Sequence, residues 1–291
     1  MNKVGVFVAA RWRGATELVD GLRAALAAQV AEVWQTSSWD DPAAQERIEG
    51  TDLVICLGGD GSMLWAARAV IPHSVPILGV NMGRLGFLAE IGPQELMEKL
   101  PRVLAGAGRV EQRAMLQAQV PAWGQTFQAL NDVVIGRALA GRPVYMDVTV
   151  DGQRLAVYRC DAVIVATATG STGYSLSAGG PILHPDSRDL VLTPVAPHLA
   201  PGRPLVLPGD AVIDLIVSAE DGAAVSIDGQ VNRTLDSGDG VSVCRSPHVA
   251  RFLRLSEPQD YYRILAERLQ LLKGINASEY PPTFEEKAGP K

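Results

Sequence analysis

Residues 4–104 alternate between short apolar runs and amphipathic segments, and this alternation restricts the fold more than any other feature of the chain. The apolar runs, which predict buried β-strands, are Val4–Ala9, Leu53–Leu57 and Val75–Val80. The segments with apolar residues at helical spacing are Ala15–Val30, Met63–Val70 and Leu96–Leu104. Strands joined through helices pair in parallel by right-handed crossovers. The sequence therefore predicts a doubly wound, Rossmann-like α/β domain over residues 1–108.

Residues 109–256 differ, because short β-like segments are separated there by Gly, Pro and Asp. The predicted strands are Met115–Val120, Asn131–Ile135, Tyr145–Val150, Ala162–Ala166, Val212–Val217, Ala224–Ile227 and Val241–Cys244. Asp151-Gly152 predicts a hairpin turn, and apolar spacing predicts a late helix at Tyr261–Leu272. We expect a β-rich C-terminal domain at 109–256, followed at 257–291 by a C-terminal helix and a loose tail that pack back on the first domain.

Composition excludes several classes of protein. With 47% hydrophobic residues and only 20% charged ones, the chain is neither wholly disordered nor a coiled coil. A net charge of -6 argues against nucleic acid or a membrane surface as a partner. No apolar run is long enough to span a bilayer, and Arg11 interrupts the apolar start too early for a signal peptide. The three cysteines are odd in number and far apart, so we expect a reduced, cytoplasmic protein.

A glycine-rich turn follows the second predicted strand, at Gly58-Gly59-Asp60-Gly61-Ser62. Ligands of open α/β sheets bind at the carboxyl ends of the strands, and glycines let the backbone approach a phosphate closely. A helix beginning at Ser62 would add free N–H groups. Asp60 suits this place as a proton acceptor for a hydroxyl or as a neighbour of Mg²⁺; the alternative is that it caps the helix.

Two further polar segments interrupt apolar runs. Asn81–Leu88 is a glycine loop after the third strand, in which Phe87 either stacks on a base or fills the core. Asn131-Asp132 places two polar side chains inside a β-like run, which is costly unless a ligand or a turn supplies partners.

The longest polar segment runs from Thr167 to Gly180 and consists mostly of small, hydroxylic and glycyl residues. Such a loop has no core to build and offers many N–H and O–H donors, so we expect it to bind a polar ligand. Other nucleotide and metal motifs are missing from the sequence: no GxxxxGK[ST] loop, no GxGxxG after the first strand and no Cys/His cluster with zinc spacing.

Taken in order, these segments resemble the ATP-NAD kinase family, bacterial type. The motifs that carry the resemblance are Gly58–Gly61, Asn81–Leu88, Asn131-Asp132, Thr169–Ile182 and Ser226-Ile227-Asp228-Gly229-Gln230. The resemblance covers nearly the whole chain and implies an α/β domain, a β-rich domain and a returning C-terminal segment. It also implies transfer of the γ-phosphoryl group of ATP, or of polyphosphate, to the 2′-hydroxyl of the adenosine ribose of NAD.

The same resemblance implies roles for individual residues. Asp60 is the expected catalytic base, and Gly58, Gly59 and Gly61 form the phosphate-facing turn. The expected NAD-binding residues are Asp60, Gly61, Asn131, Asp132, Arg142, Arg159, Asp161, Thr172, Gly173, Tyr174, Ser175, Leu176, Ser177, Ala196 and Gln230. Mg²⁺ is expected to be carried mainly by the ATP, and a homodimer or homotetramer is expected as the assembly.

The chain departs from the family pattern in small ways. The family usually has Glu at Asp132, Ala at Gly173, Pro at Ala168, Gly at Ala162 and Thr at Ser62. Two other functions stay open at this point: a lipid or sugar kinase that shares only the Gly-Gly-Asp-Gly turn, and a non-catalytic NAD-binding regulator. The sequence also leaves open ATP or polyphosphate as donor and NAD or NADH as acceptor, with NAD favoured.

Overall fold

The predicted α/β alternation is present in the N-terminal part of the chain. The structure, a computed structural model, describes residues 1–9, 16–38, 42–83, 86–139, 142–198, 202–219 and 222–270. The first elements are β1 (Lys3–Val8), α1 (Thr16–Ala27), β2 (Glu32–Thr36), α2 (Pro42–Ile48), β3 (Leu53–Gly58), α3 (Asp60–Val70), β4 (Ile77–Asn81) and α4 (Pro93–Leu104). The four strands pair in parallel in the order β2-β1-β3-β4.

Helices cover both faces of this sheet, which confirms the doubly wound prediction. On one face, α1 and α4 bury Leu22 and Leu96 against alternate residues of β1 and β3, such as Val6 and Ile55. On the other face, α2 and α3 pack against the intervening residues, among them Cys56. The alternation follows from the two-residue period of a strand, which sends successive side chains to opposite faces.

The rest of the chain is β-rich, as predicted. Its elements are β5 (Arg109–Val120), β6 (Gln125–Ala129), β7 (Asp132–Arg137), β8 (Val144–Val150), β9 (Gln153–Cys160), β10 (Ala162–Ala166), α5 (Tyr174–Ser177), β11 (Leu190–Val195), β12 (Leu205–Leu207), β13 (Ile213–Ser218), β14 (Ala223–Ile227), β15 (Val231–Leu235), β16 (Gly240–Arg254) and α6 (Tyr261–Arg268). The order β12-β11-β10-β7-β14-β15 forms a 6-stranded sheet. Its inner face packs on β8, β13 and β16 through a core that includes Val163, Val225, Met146 and Leu215.

One strand joins the two parts of the fold. β16 pairs antiparallel with β5 and β13, and at Phe252 it pairs parallel with Ile77 of β4. A 10-stranded sheet therefore runs through both predicted domains, and residues 1–255 form one unit. The boundary placed between residues 108 and 109 stays a prediction.

The structure also describes the predicted hairpin turn, the polar loop and most of the predicted late helix. The Asp151-Gly152 turn is confirmed, with φ of 51° and 74°. The polar loop contains a turn of 3₁₀-helix at Gly170–Thr172 and the short α5. The late helix, in the second unit, ends at Arg268. Residues 271, 272 and the tail lie outside the described residues, so the predicted return to the first domain stays a prediction. Among the described residues, no helix has the length and apolarity to cross a membrane.

The first strand of the sheet provides a test of this packing. A Cβ added at Gly5 of β1 would lie 2.4 Å from the ring of the buried Trp34. We expect Gly5→Ala to lower the free energy of unfolding by about 1–3 kcal/mol, as overpacking does. The matched variant is Gly21→Ala on α1, where an added Cβ meets no atom within 4 Å; it should raise the free energy by about 0.5–1 kcal/mol. Urea unfolding measures both, and equal effects of the two variants would contradict the packing described here.

Candidate active site

Asp60 lies at the carboxyl end of β3, where it is held by the segment that follows β4. α3 begins at Asp60, two residues before the expected start at Ser62. The Asp60 carboxylate accepts hydrogen bonds from the N–H groups of Phe87 (2.6 Å), Leu88 (3.0 Å) and Ala89 (3.4 Å). Its carboxylate therefore binds this segment and makes no capping hydrogen bond to its own helix. The alternative that Asp60 caps α3 is wrong.

Close packing explains two of the glycines around Asp60. A Cβ at Gly86 would lie 2.2 Å from a carboxylate oxygen of Asp60, and one at Gly58 would lie 2.3 Å from the Ser62 hydroxyl. Any side chain at either place would push the turn apart. In the first turn of α3 the N–H of Ser62 donates to the carbonyl oxygen of Gly59, and the N–H groups of Asp60 and Gly61 precede the helical hydrogen bonds and form the positive end of the helix. The turn is therefore suited to an anionic group, while Asn81 uses its side chain on Gly83 of its own loop.

A buried aspartate, Asp228, organises the other side of the site. It lies with Gly229 in the turn between β14 and β15, at φ of 52° and 67°. Its carboxylate accepts three consecutive N–H groups, those of Leu130 (2.8 Å), Asn131 (2.7 Å) and Asp132 (3.1 Å). Burial raises the pKa of Asp228, and these hydrogen bonds oppose the increase. We did not assign this residue a role from the sequence; the Asp-Gly pair was the available signal, but it indicates only a turn.

The Asp228 turn holds Asn131 and Asp132 and contacts the Gly58–Gly61 turn through Gln230. Gln230 donates from Nε2 to the carbonyl oxygen of Gly61 at 2.9 Å. The side-chain oxygens of Asn131 and Gln230, Oδ1 and Oε1, are buried and have no hydrogen-bond partner within the described part of the chain. Asp132 is only 6% exposed. Burial and then the nearby Asp228 raise the pKa of Asp132 to about 7.

The glycine-rich loop packs directly on this polar pair. A Cβ at Gly170 would lie 2.0 Å from the carbonyl oxygen of Asn131, and one at Gly173 would lie 3.6 Å from its Nδ2. We expect the hydroxyl groups of this loop to donate to a ligand, but several of them form hydrogen bonds within the protein. Ser171 donates to Ala168 O, Thr172 donates to Thr169 O, and Ser175 pairs with Thr193. Tyr174 and Ser177 are exposed, and Leu176 is half-buried.

The remaining expected site residues lie at the opposite end of the β7–β10 pair. Asp161 precedes β10 and forms an ion pair with Arg137 at 2.9 Å. Arg137, Arg142 and Arg159 line a cavity of about 780 Å³. Ala196, at φ of 45°, follows the strand whose Val195 pairs with Ala162. At the usual strand rise, these residues lie roughly 16 Å along β7 from Asp132. The structure thus forms two polar clusters, not one.

A bound metal ion would need a group of His, Cys, Asp or Glu side chains close together. Outside the masked segments, no group of three or more His, Cys, Asp and Glu side chains is placed to hold a metal ion. The donors around Asp60 are backbone N–H groups, which do not bind a cation.

Comparison with known proteins identifies the family. Residues 10–108 match the ATP-NAD kinase N-terminal domain, and residues 130–255 match the ATP-NAD kinase C-terminal domain. The chain belongs to the ATP-NAD kinase family. It is 38% identical to an NAD kinase of Dehalococcoides mccartyi (strain CBDB1) over 283 residues, 96% of this chain and 99% of that one. It is 45% identical to one of Chloroflexus aurantiacus over 222 residues, 75% and 80% of the two chains.

Solved structures share the fold. The yeast NADH kinase complexed with NADH has a TM-score of 0.83 at 22% identity, covering 95% of this chain and 89% of the other. An NAD kinase from Archaeoglobus fulgidus in complex with ATP has a TM-score of 0.71 at 26% identity, covering 92% and 98%. The predicted fold of an α/β part followed by a β-rich part is therefore confirmed by the comparisons as well as by the structure.

The raised pKa of Asp132 leads to a prediction about stability. Between about pH 4 and pH 7 the unfolded chain loses this proton and the folded chain keeps it, so stability falls as pH rises. Asp132→Asn does not titrate, and its free energy of unfolding should rise relative to that of the native protein as pH rises. The slope is limited to about 1.4 kcal/mol per pH unit.

The control is Asp20→Asn, on the exposed face of α1. Unfolding curves in urea from pH 5 to pH 8 measure both variants against the native protein. A difference between Asp132→Asn and the native protein that is constant with pH would contradict the assignment of a buried, protonated Asp132.

Proposed function

We propose that this protein transfers the γ-phosphoryl group of ATP to the 2′-hydroxyl of the adenosine ribose of NAD, giving NADP and ADP. Family membership and relatives named NAD kinase support the activity. One observation carries the placement of the substrate: two buried amide oxygens held by the Asp228 turn, Asn131 Oδ1 and Gln230 Oε1, have no partner in the described protein, and Gln230 contacts Gly61.

These oxygens define the chemistry of the missing partner. A buried acceptor without a donor costs about 1–3 kcal/mol, so a ligand that donates hydrogen bonds here recovers that energy. The adenine amino group and the ribose hydroxyls of NAD are such donors. The hydrogen bond from Nε2 to Gly61 orients the Gln230 amide before the ligand arrives, and Asp228 holds the backbone of Asn131 in place. We therefore place the adenosine half of NAD against Asn131, Asp132 and Gln230.

Asp60 is the proposed general base. Phe87 occupies one acceptor position on Oδ2 of Asp60, and a carboxylate oxygen has a second one. The 2′-hydroxyl gives its proton to this position as its oxygen bonds to the γ-phosphorus and the bond from phosphorus to ADP breaks. Backbone N–H groups at the start of α3 stabilise the charge on the phosphoryl oxygens. A positioned base contributes on the order of 10²–10⁴ in rate.

The second polar cluster is the proposed site for the other half of the dinucleotide. Arg159, Arg142, Asp161 and Ala196 lie together at the far end of the β7–β10 pair. Arginine side chains suit pyrophosphate, and Asp161 suits the nicotinamide carboxamide. The loop residues Thr172 to Ser177 lie at the adenosine end, where Gly173 faces Asn131 and Asp132.

The proposal also includes Mg²⁺, a cytoplasmic location and a homo-oligomeric state. Mg²⁺ would accompany ATP as the counter-ion of its phosphates and would neutralise charge that develops during the transfer. A cytoplasmic location agrees with three free cysteines. Self-assembly to a homodimer or homotetramer is proposed from the family resemblance.

The decisive assay follows NADP formation from NAD and MgATP, coupled to an NADP-specific dehydrogenase. Turnover with NAD supports the proposal, and parallel reactions with NADH and with polyphosphate determine the acceptor and donor. NAD binding in calorimetry without turnover favours a non-catalytic regulator. Phosphorylation of a lipid or sugar with indifference to NAD favours the other kinase class.

Asp60→Asn tests the base. We expect kcat to fall by about 10²–10⁴, because the amide accepts no proton, while Kd for NAD from calorimetry changes less than fivefold. Asp20→Asn is the control for loss of an aspartate elsewhere. Circular dichroism checks the fold, and turnover of Asp60→Asn at a near native rate would exclude Asp60 as the base.

Metal dependence tests where the Mg²⁺ binds. Excess EDTA should abolish turnover, and added Mg²⁺ should restore it, since the metal neutralises charge on the transferred group. Titration of Mg²⁺ alone into the protein should give no binding isotherm, and titration of MgATP should give one. Tight binding of Mg²⁺ without nucleotide would contradict delivery of the metal by ATP.

A further inference from the structure

Three charged side chains are buried together where β5 and β16 lie side by side. Glu111 and Arg113 belong to β5, and Arg254 is the last residue of β16. The side chains of all three are no more than 9% exposed. Glu111 Oε1 accepts from Nε of Arg113 and from Nε of Arg254, the latter at 3.2 Å. We call Glu111, Arg113 and Arg254 the Glu111 trio.

Burial of three charges needs a reason beyond stability. The desolvation penalty of a buried ion pair is of the same size as its attraction, and apolar side chains of similar volume are often as stable. Burial itself raises the pKa of Glu111, but Arg254 and Arg113 outweigh burial and lower the pKa to about 2. Glu111 is therefore ionised at all physiological pH values, and both arginines have a fixed counter-charge.

Each arginine reaches one of the two segments that form the site. Arg254 donates from Nη1 to the carbonyl oxygen of Leu88 at 2.7 Å, while Leu88 donates its N–H to Asp60. Arg113 donates from Nη1 to the hydroxyl of Thr169 at 3.3 Å, at the start of the glycine-rich loop. The N–H of Leu255 also binds Glu90, so the end of β16 is fixed to the same segment twice.

We propose that the Glu111 trio is a positioning device that sets the Asp60 carboxylate through Arg254 and the substrate loop through Arg113. This inference rests on the proposed function. None of the three side chains touches the reacting atoms. Arg254 acts through Leu88 and Arg113 acts through Thr169, whereas Glu111 acts through the two arginines. Because Oε1 of Glu111 accepts hydrogen bonds from both Arg113 and Arg254, the positions of both arginines depend on this one carboxylate.

The two arms of the trio should affect different kinetic constants. Lysine keeps the charge of Arg254 but lacks the planar fork that holds two acceptors at once. Arg254→Lys should lower kcat by 10- to 100-fold, as misplacement of a catalytic group does, with KM for NAD within threefold of the native value. Arg113→Lys should raise KM for NAD about tenfold, with kcat within threefold.

Thr169→Val extends the test of the Arg113 arm. It removes the acceptor of Arg113 in a side chain of nearly the same shape, so it should raise KM as Arg113→Lys does. In the double variant the two effects should not add, since both remove the same hydrogen bond. Leu215→Ala, in the core of the β-rich part, controls for lost stability without contact to the trio.

Hydrogen exchange gives a readout that does not depend on activity. In Arg254→Lys the amides of Phe87, Leu88 and Ala89 should exchange at least tenfold faster. The amides of Leu130, Asn131 and Asp132, which Asp228 holds, should keep their native rates. If the native protein makes no NADP, the proposed function fails, and this exchange pattern still tests the trio.

Two results would overturn the proposal. One is that Arg254→Lys and Arg113→Lys change kcat and KM no more than Leu215→Ala does at equal thermal stability. The other is full additivity of Arg113→Lys and Thr169→Val together with unchanged exchange at Phe87–Ala89. Either result makes the trio a structural ion pair only.

Discussion

The site depends on a carboxylate that collects three consecutive backbone N–H groups, and it uses this arrangement twice. Asp228 holds Leu130–Asp132, and Asp60 holds Phe87–Ala89. Leu130–Asp132 lie at the junction of β6 and β7, with Asp132 at the first position of β7, and Phe87–Ala89 lie between β4 and α4, where backbone donors need other partners. A carboxylate supplies them with charge-assisted hydrogen bonds, which are stronger than neutral ones. Both segments are therefore held to a carboxylate by several hydrogen bonds.

Packing within the protein explains glycines that otherwise suggest ligand binding. Gly86 and Gly170 leave no room for a Cβ, because a carboxylate and a carbonyl of the protein lie against them. Likewise, the hydroxyls of Ser171 and Thr172 bind neighbouring carbonyls. Many of the glycines and hydroxyl groups that are typical of a ligand-binding loop therefore serve to pack the loops against each other. Under the proposed function, the substrate would meet a prearranged surface, which lowers the entropy that its binding costs.

Local pattern predicted the fold well where one face of an element is buried. β2 was missed because only Trp34 and Thr36 of its five residues are buried, and β16 was recognised only in part because the register shifts between Arg245 and Val249. The resemblance led to Asp60 and Asn131, but no local pattern indicates that Glu111 meets Arg254, 143 positions along the chain. Such long-range pairs follow from strand register, which a single sequence does not reveal.

Two departures from the family pattern meet at one place in the structure. The family usually has Glu where this chain has Asp132, and Ala where it has Gly173. A Cβ at Gly173 would lie 3.9 Å from Oδ2 of Asp132, within ordinary contact distance. Shortening the acid by one methylene and removing one methyl from the loop therefore act on the same contact, and the loop can approach the shorter side chain. Because Asp132 is only 6% exposed, we interpret the two changes as one repacking of the contact between Asp132 and the glycine-rich loop.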